Sequence, residues 1–421
     1  MKVLWFSNSP GNASECLGDS FVGSSWVSAL DKRLQNEVEL HLAFYYPKRS
    51  DSFKYGKTTY YPIASKNWKF NVLKNVLRSK IIDNQDLGRY LEIINKVQPD
   101  IIHIHGTENP FGCIIPYTEV PVIVSIQGYL TVIDHKFQNS FTRRDLKAGK
   151  RSYKNLKDFI LRKSFLRAKK ELIRRKEIEK RNLRETKYLI GRTDWDRRVA
   201  TILAPNSRYY HGEEILRDVF YEKEWKYNDN ANILIHSTLN NTPYKGFETI
   251  CEALIELKGI SGIHPEWQIA GINQDDQIVK VTRRKLKKRF PTTGIKYLGK
   301  VDECQMAEVM CNSDVFVSPS HIENSSNSLC EAMILGLPCI ATNVGGTITL
   351  VCDGKDGILV QDGDPWGLAG AIYELYRNPD AAISYGENAR KKALSRHDPA
   401  KVINDLVEIY NEILLIQSPH N

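Results

Sequence analysis

The stretch from Asp314 to Pro338 constrains the fold more tightly than any other part of the chain. Asp314-Val315-Phe316-Val317 reads as a short buried strand, and Asn327 to Leu335 reads as a helix. Ser325 and Ser326 offer an N-cap, Gly336 stands where a C′ glycine belongs, and Pro338 stops continuation. A strand, a small polar loop and a capped helix start make an anion site from backbone alone. Free N–H groups and the positive end of the helix dipole both point at whatever occupies the loop.

Two carboxylates flank that loop, Glu323 before it and Glu331 inside the helix. Ionised carboxylates accept hydrogen bonds from hydroxyl groups, so acids beside an anion site suit a phosphate ester that also carries hydroxyls. A nucleotide-sugar fits this pattern: diphosphate on the helix start, ribose hydroxyls on one Glu, sugar hydroxyls on the other. On spacing alone, a solvated helix acid and a loop charge fit as well.

The run Glu323 to Glu331 continues through Ala332-Met333, Gly336-Leu337-Pro338, Ile340-Ala341-Thr342 and Val344-Gly345-Gly346. It is preceded by Ser313 to Ser320 and followed by Asp353-Gly354-Lys355-Asp356-Gly357-Ile358-Leu359-Val360. This order resembles the E-x7-E signature of family 4 retaining glycosyltransferases. The resemblance is tight from about Leu298 to Val360 and looser before. It implies α/β architecture of the GT-B kind, two Rossmann-like domains facing each other across a cleft.

A chain of 421 residues suggests about two domains. The expected division is 1–212, 213–398, and a terminal helix 399–421 that returns to the first domain. No window supplies the ~20 apolar residues of a membrane helix. Met1 to Pro10 reads as a first strand and not a signal peptide. Eight scattered cysteines show no zinc spacing and suit reduced thiols in a cytoplasm. Nineteen Lys/Arg against six Asp/Glu lie between Arg143 and Lys187, an excess larger than the whole chain's net +9. Leu161, Phe165, Ala168 and Leu172 make one helical stripe there. The segment reads either as a surface helix packing that stripe, or as a basic face for an anionic bilayer or a pyrophosphate-linked lipid at the inner face of the membrane. Nucleic acid is not expected, because no recognition motif accompanies the charge.

Val3 to Phe6 is strand-like and opens onto a loop with Gly11, Gly18 and Gly23, but neither a dinucleotide fingerprint nor a P-loop is present. The family's Gly-Gly pair near the donor diphosphate is answered here by Gly23-Ser24. Pro99 to Gly106 is a strand with His103 and His105 on one face. They are either hydrogen-bonded core histidines, metal ligands, or cleft residues at a strand's carboxyl end. Pro121 to Gly128 is the next strand, and it ends with Gln127 where many relatives carry a histidine. Gln127 cannot act as a base at neutral pH but can bond a sugar hydroxyl.

Ile233 to Ser237 opens a second αβ series, and Lys245-Gly246 matches the lysine that the family gives to the donor phosphates. Ser237-Thr238-Leu239 stands where an arginine is usual, leaving Lys245 and the helix start at Ser326, Asn327, Ser328 and Leu329 to meet the phosphate charge. The strands ending at Gly271 and Gly299 lead into loops around Asn273 and Val301, where the base sits in relatives. By the family pattern Glu323 holds the donor sugar and Glu331 the ribose, with Lys245, Gln127 and His105 completing the catalytic set. The resemblance implies a metal-independent reaction with no cofactor and a nucleotide-sugar donor of the UDP or GDP type as substrate. The alternatives are a non-catalytic nucleotide-sugar-binding or partner subunit, an epimerase, or a phosphorylase on the same fold.

Overall fold

A computed structural model of the chain describes residues 1–17, 26–46, 48–49, 51–64, 84–147, 164–228, 232–260 and 262–417. Gly23, Ser24 and Leu161 lie outside the described residues. The chain divides into two compact units, Met1–Thr131 with Leu172–Leu216 and His397–Asn421, and Val132–Glu171 with Arg217–Arg396.

In the first unit the strands are β1 (Lys2–Ser7), β2 (Glu39–Tyr45), β3 (Phe53–Tyr55), β4 (Thr58–Ile63), β5 (Ile101–His105), β6 (Val122–Ser125), β7 (Tyr188–Gly191) and β8 (Arg208–His211). They pair in the order β3-β4-β2-β1-β5-β6-β7-β8. Every pairing is parallel except β3 with β4. The continuous apolar run Val3 to Phe6 is fully buried, as a central strand covered on both faces requires. The sequence reading missed β3, β4 and β8. Pro62 sits inside β4, which argues against a strand from sequence alone, and β8 lies in the polar connector after Pro205.

The second unit holds β9 (Leu234–Thr238), β10 (Glu266–Ala270), β11 (Ile295–Gly299), β12 (Val315–Ser318), β13 (Cys339–Thr342) and β14 (Ile358–Val360). All are parallel, in the order β11-β10-β9-β12-β13-β14. The chain walks outward from β9 to β11 and then returns to lay β12 on β9's free side. That reversal is a topological switch point, where loops diverge and leave a crevice at the strands' carboxyl ends. The first sheet has its own reversal between β1 and β5.

The helix Phe165–Glu185 carries the later part of the basic segment, whose residues 148–163 lie outside the described ones. Phe165, Leu172 and Leu183 are buried, whereas Ala168 is exposed, so the inward stripe departs from the expected one. Glu179 shares the inward face and is buried among Leu130 and Thr131 N–H and the hydroxyls of Thr107 and Thr131, all donating to it. Burial raises its pKa against those four bonds.

The helix Pro399–Gln417 buries Val402, Leu406, Ile409, Tyr410 and Ile413 in the same core cluster as Val3 and Trp5. Tyr410 has no exposed surface; Trp5 Nε1 donates to its hydroxyl at 3.2 Å, and His103 Nδ1 lies 2.5 Å from it. His103 Nε2 meets Ser125 Oγ at 2.5 Å, which makes His103 a hydrogen-bonded core histidine. Tyr410→Phe would keep the ring and strand two buried polar groups. It is expected to cost about 1–3 kcal/mol, read as a lower urea midpoint at unchanged slope; an unmoved midpoint would contradict this role for the hydroxyl.

Candidate active site

The site is built at the β9/β12 switch point of the second unit. Lys245 ends the short turn Pro243–Lys245 after β9, and Glu323 lies in the loop after β12. Their side chains form an ion pair, and Ser320 Oγ donates to the same Glu323 oxygen at 2.8 Å. Burial works to lower the Lys245 pKa, but the Glu323 carboxylate and neighbouring Tyr244 outweigh it and hold the ammonium above its ordinary range.

Two glycines let the backbone close on this pair. Gly246 has φ 73°, and a Cβ there would lie 2.0 Å from Pro319 O. Gly345 has φ 51°, and a Cβ there would lie 1.9 Å from Glu323 O. Only glycine tolerates both the left-handed conformation and the contact. The loop is fastened further by His321 N donating to Tyr244 O at 2.8 Å and Gly346 N to Glu323 O at 3.0 Å.

The helix Asn327–Leu335 follows with Ser326 as N-cap residue, as read from sequence. The Ser326 hydroxyl lies 3.2 Å from that of Ser328 and takes no backbone N–H of the first turn. Asn327 and Ser328 are half-buried beside it, while Leu329 is fully buried, so Leu329 offers only its backbone. Gly336, at φ 81°, closes the helix with its N–H on Met333 O and that of Leu337 on Ala332 O. This is the C′ glycine the sequence promised.

Glu331 is buried in this helix and gripped by Arg217, Nε to Oε1 and the second nitrogen to Oε2, both at 2.7 Å. Sequence reasoning missed Arg217, because it stands in the connector 114 residues away and carries no motif. The fork is a bidentate arrangement that fixes the plane of the carboxylate.

The other expected donor-side residues lie at the end of β9 and after β10 and β11. Ser237 is fully buried, donates to Val317 O at 2.7 Å and accepts from Trp267 Nε1 at 3.0 Å, so its hydroxyl works between β9, β10 and β12. Thr238 Oγ1 lies 3.2 Å from His236 Nε2. Gly271, φ 89°, packs on Leu239 O after β10, and Val301 is half-buried after β11.

In the first unit, Gln127 follows β6 with its amide beside Gly106. His105 is buried at the end of β5 among the rings of Trp5, Trp26 and His103, at 4.4, 5.4 and 4.0 Å. Neither of its ring nitrogens has a hydrogen-bond partner among the described residues. Burial, then the nearby His103 and Arg192, keeps its pKa well below the usual histidine range, so it is neutral at physiological pH.

A parallel α/β unit with its ion pair and helix start at the switch point, in one chain with a second, mainly parallel α/β unit, defines a GT-B-type glycosyltransferase fold. Residues 230–378, which contain Lys245, Glu323 and Glu331 but not Arg217, match the family described as glycosyl transferases group 1. The chain is 26% identical over 193 residues to N-acetyl-alpha-D-glucosaminyl L-malate synthase of Bacillus anthracis, covering 46% of this chain and 49% of that protein. The chain thus spans about half the length of that curated relative. In structure it is similar to sucrose-phosphate synthase from Thermosynechococcus elongatus, with TM-score 0.72 and 15% identity over 98% of this chain and 99% of that one. It is also similar to Anabaena HepE in complex with UDP-glucose, with TM-score 0.61 and 16% identity over 98% and 100%.

Removing Arg217 would take the guanidinium away from the buried Glu331 carboxylate. Arg217→Ala is expected to lose about 3–5 kcal/mol, and the pair Arg217→Met with Glu331→Leu to lose less than Arg217→Ala alone. Urea denaturation of the variants checks this; equal losses would show that the ion pair is not what Arg217 contributes.

Proposed function

We propose that the chain is a retaining, metal-independent glycosyltransferase of hexosyl type. It moves a sugar from a nucleoside diphosphate-sugar, of the UDP or GDP kind, to a hydroxyl of a glycan or lipid-linked saccharide in cell-surface polysaccharide assembly. The observation that carries this reading is the Lys245–Glu323 pair at the switch point, next to a helix start whose cap side chain leaves the backbone N–H groups alone. The likeness to a structure holding UDP-glucose supports the donor class.

On this reading Lys245 exchanges Glu323 for the donor phosphate, and Glu323 turns its oxygens to the sugar hydroxyls. Glu331, steadied by Arg217, accepts from the ribose. The bond from the sugar's anomeric carbon to the diphosphate oxygen breaks, and its electron pair leaves with the diphosphate. The acceptor oxygen bonds to that carbon on the same face, and its proton passes to the departing diphosphate. Lys245 and the helix-start N–H groups stabilise the charge that develops there.

A second reading, donor binding without turnover, is favoured by Gln127 at the end of β6. A thermal-shift panel of UDP, GDP, ADP and CMP with their common sugars tests both. A ligand at 100-fold over its Kd adds about 2.7 kcal/mol to stability. One nucleotide-sugar should raise the midpoint, and Lys245→Ala should lower turnover of it by far more than it lowers the unliganded midpoint. Binding with no transfer to any offered saccharide favours the second reading, and no responder rejects both.

For the basic helix we propose contact with an anionic lipid surface. Among the described residues no helix is long and apolar enough to cross a membrane. Lys170, Arg181 and Arg184 are exposed on the helix Phe165–Glu185, and each cation near an anionic surface contributes about 1 kcal/mol. Reversing these three to Glu should release the protein from phosphatidylserine vesicles in a sedimentation assay. Unchanged pelleting would rule the surface contact out.

A further inference from the structure

The loop that carries Glu323 holds a second charge that the donor reading does not use. The His321 side chain is fully buried, with Nε2 2.8 Å from Glu248 Oε1 and Nδ1 2.6 Å from Asp362 Oδ1. A neutral imidazole donates from one nitrogen only, so carboxylates at both nitrogens are satisfied together only by the doubly protonated ring. The two acids reach it from different elements. Glu248 lies in the first turn of the helix Phe247–Lys258, three residues after Lys245, and Asp362 follows β14. Each is held in turn by the segment after Val132: Lys136 Nζ lies 3.3 Å from Asp362 Oδ2, and Ser140 donates its hydroxyl to Glu248 Oε1. The other Glu248 oxygen is buried with no hydrogen-bond partner among the described residues.

His321 therefore joins the start of the helix behind Lys245 to the loop that ends in Glu323. We propose that His321, bridging Glu248 and Asp362, is the positioning residue that sets Glu323 against Lys245. The assignment of that pair to a nucleotide-sugar rests on the function proposed above; the positioning itself does not.

The charge is sustained by its surroundings. Burial lowers the His321 pKa, but hydrogen bonds and attraction from Asp362 and Glu248 outweigh it and raise it to about 9. The groups that face the ring are Glu248 from its helix and Asp362 from the turn after β14, with Lys136 and Ser140 behind them. A raised pKa stabilises the fold fully below the ordinary histidine value, and the contribution disappears as pH climbs through about 9. Above that, Glu248 and Asp362 face one shared proton instead of two.

The experiment measures the coupling between Lys245 and Glu323 in the full chain without ligand. Urea unfolding of Lys245→Met, Glu323→Gln and the double variant gives the coupling, first in the otherwise unaltered chain and then with His321→Gln. A coupling worth about tenfold in the unfolding equilibrium is expected near neutral pH. It should vanish in the His321→Gln background, and in the unaltered chain once pH passes about 9. Glu248→Gln, which keeps the imidazole and removes one counter-charge, should move the loss to lower pH and serves where His321→Gln does not fold. Coupling that survives either substitution and the rise in pH overturns the proposal. If no nucleotide-sugar of the thermal-shift panel binds the unaltered chain while the coupling behaves as expected, the donor reading alone is rejected and His321 keeps its positioning role.

Discussion

The structure of the second unit depends on the reversal that lays β12 beside β9. Without it, the turn holding Lys245 and the loop holding Glu323 would leave the sheet at separate places. Parallel strands send all their carboxyl-end loops to one edge, but only a reversal makes two of them diverge and leave room for a ligand. Gly246 and Gly345 then allow backbone to approach backbone at distances any side chain would forbid. The Lys245–Glu323 pair is a product of topology first and side-chain chemistry second.

The strand, loop and helix from Asp314 to Pro338 were legible because each boundary has a local cause: a buried apolar run, a cap residue, a left-handed glycine and a proline. The same holds for the buried strands β1, β5, β6 and β9, whose apolar runs end at small or polar residues. What escaped the sequence had non-local causes. β8 and β4 form because a neighbouring strand offers its edge, and Pro62 hides the second of them. Arg217 reaches Glu331 across 114 residues, and His321 meets acids 73 and 41 residues away. No periodicity announces such meetings. Ala168 misled for a related reason: its spacing fits the stripe, but the inward face is set by what the helix packs on, including the buried Glu179.

Charge is distributed by the same logic. Exposed cations on the basic helix cost little, whereas several buried charges are answered by an opposite one and Glu179 is answered by four neutral donors. Arg192 and Glu214, Arg217 and Glu331, and His321 with its two acids are all nearly excluded from water. Such groups contribute modestly to net stability, because desolvation offsets attraction, but they penalise every arrangement that separates them. Their effect is to make one geometry of the loops much better than its neighbours.

The apolar face of the helix Pro399–Gln417 completes the core around β1, and Tyr410 bonds both Trp5 and His103. The first strand and the helix that seals it are therefore almost the full chain apart in order of synthesis. At roughly 5–20 residues per second the ribosome needs on the order of 20 to 80 s between them. Throughout that interval Val3, Trp5 and their neighbours lack their final cover, while the second unit already has all its strands. Although it begins first, the first unit is the last to close, and a cell that makes this chain must shelter an apolar surface for the length of its translation.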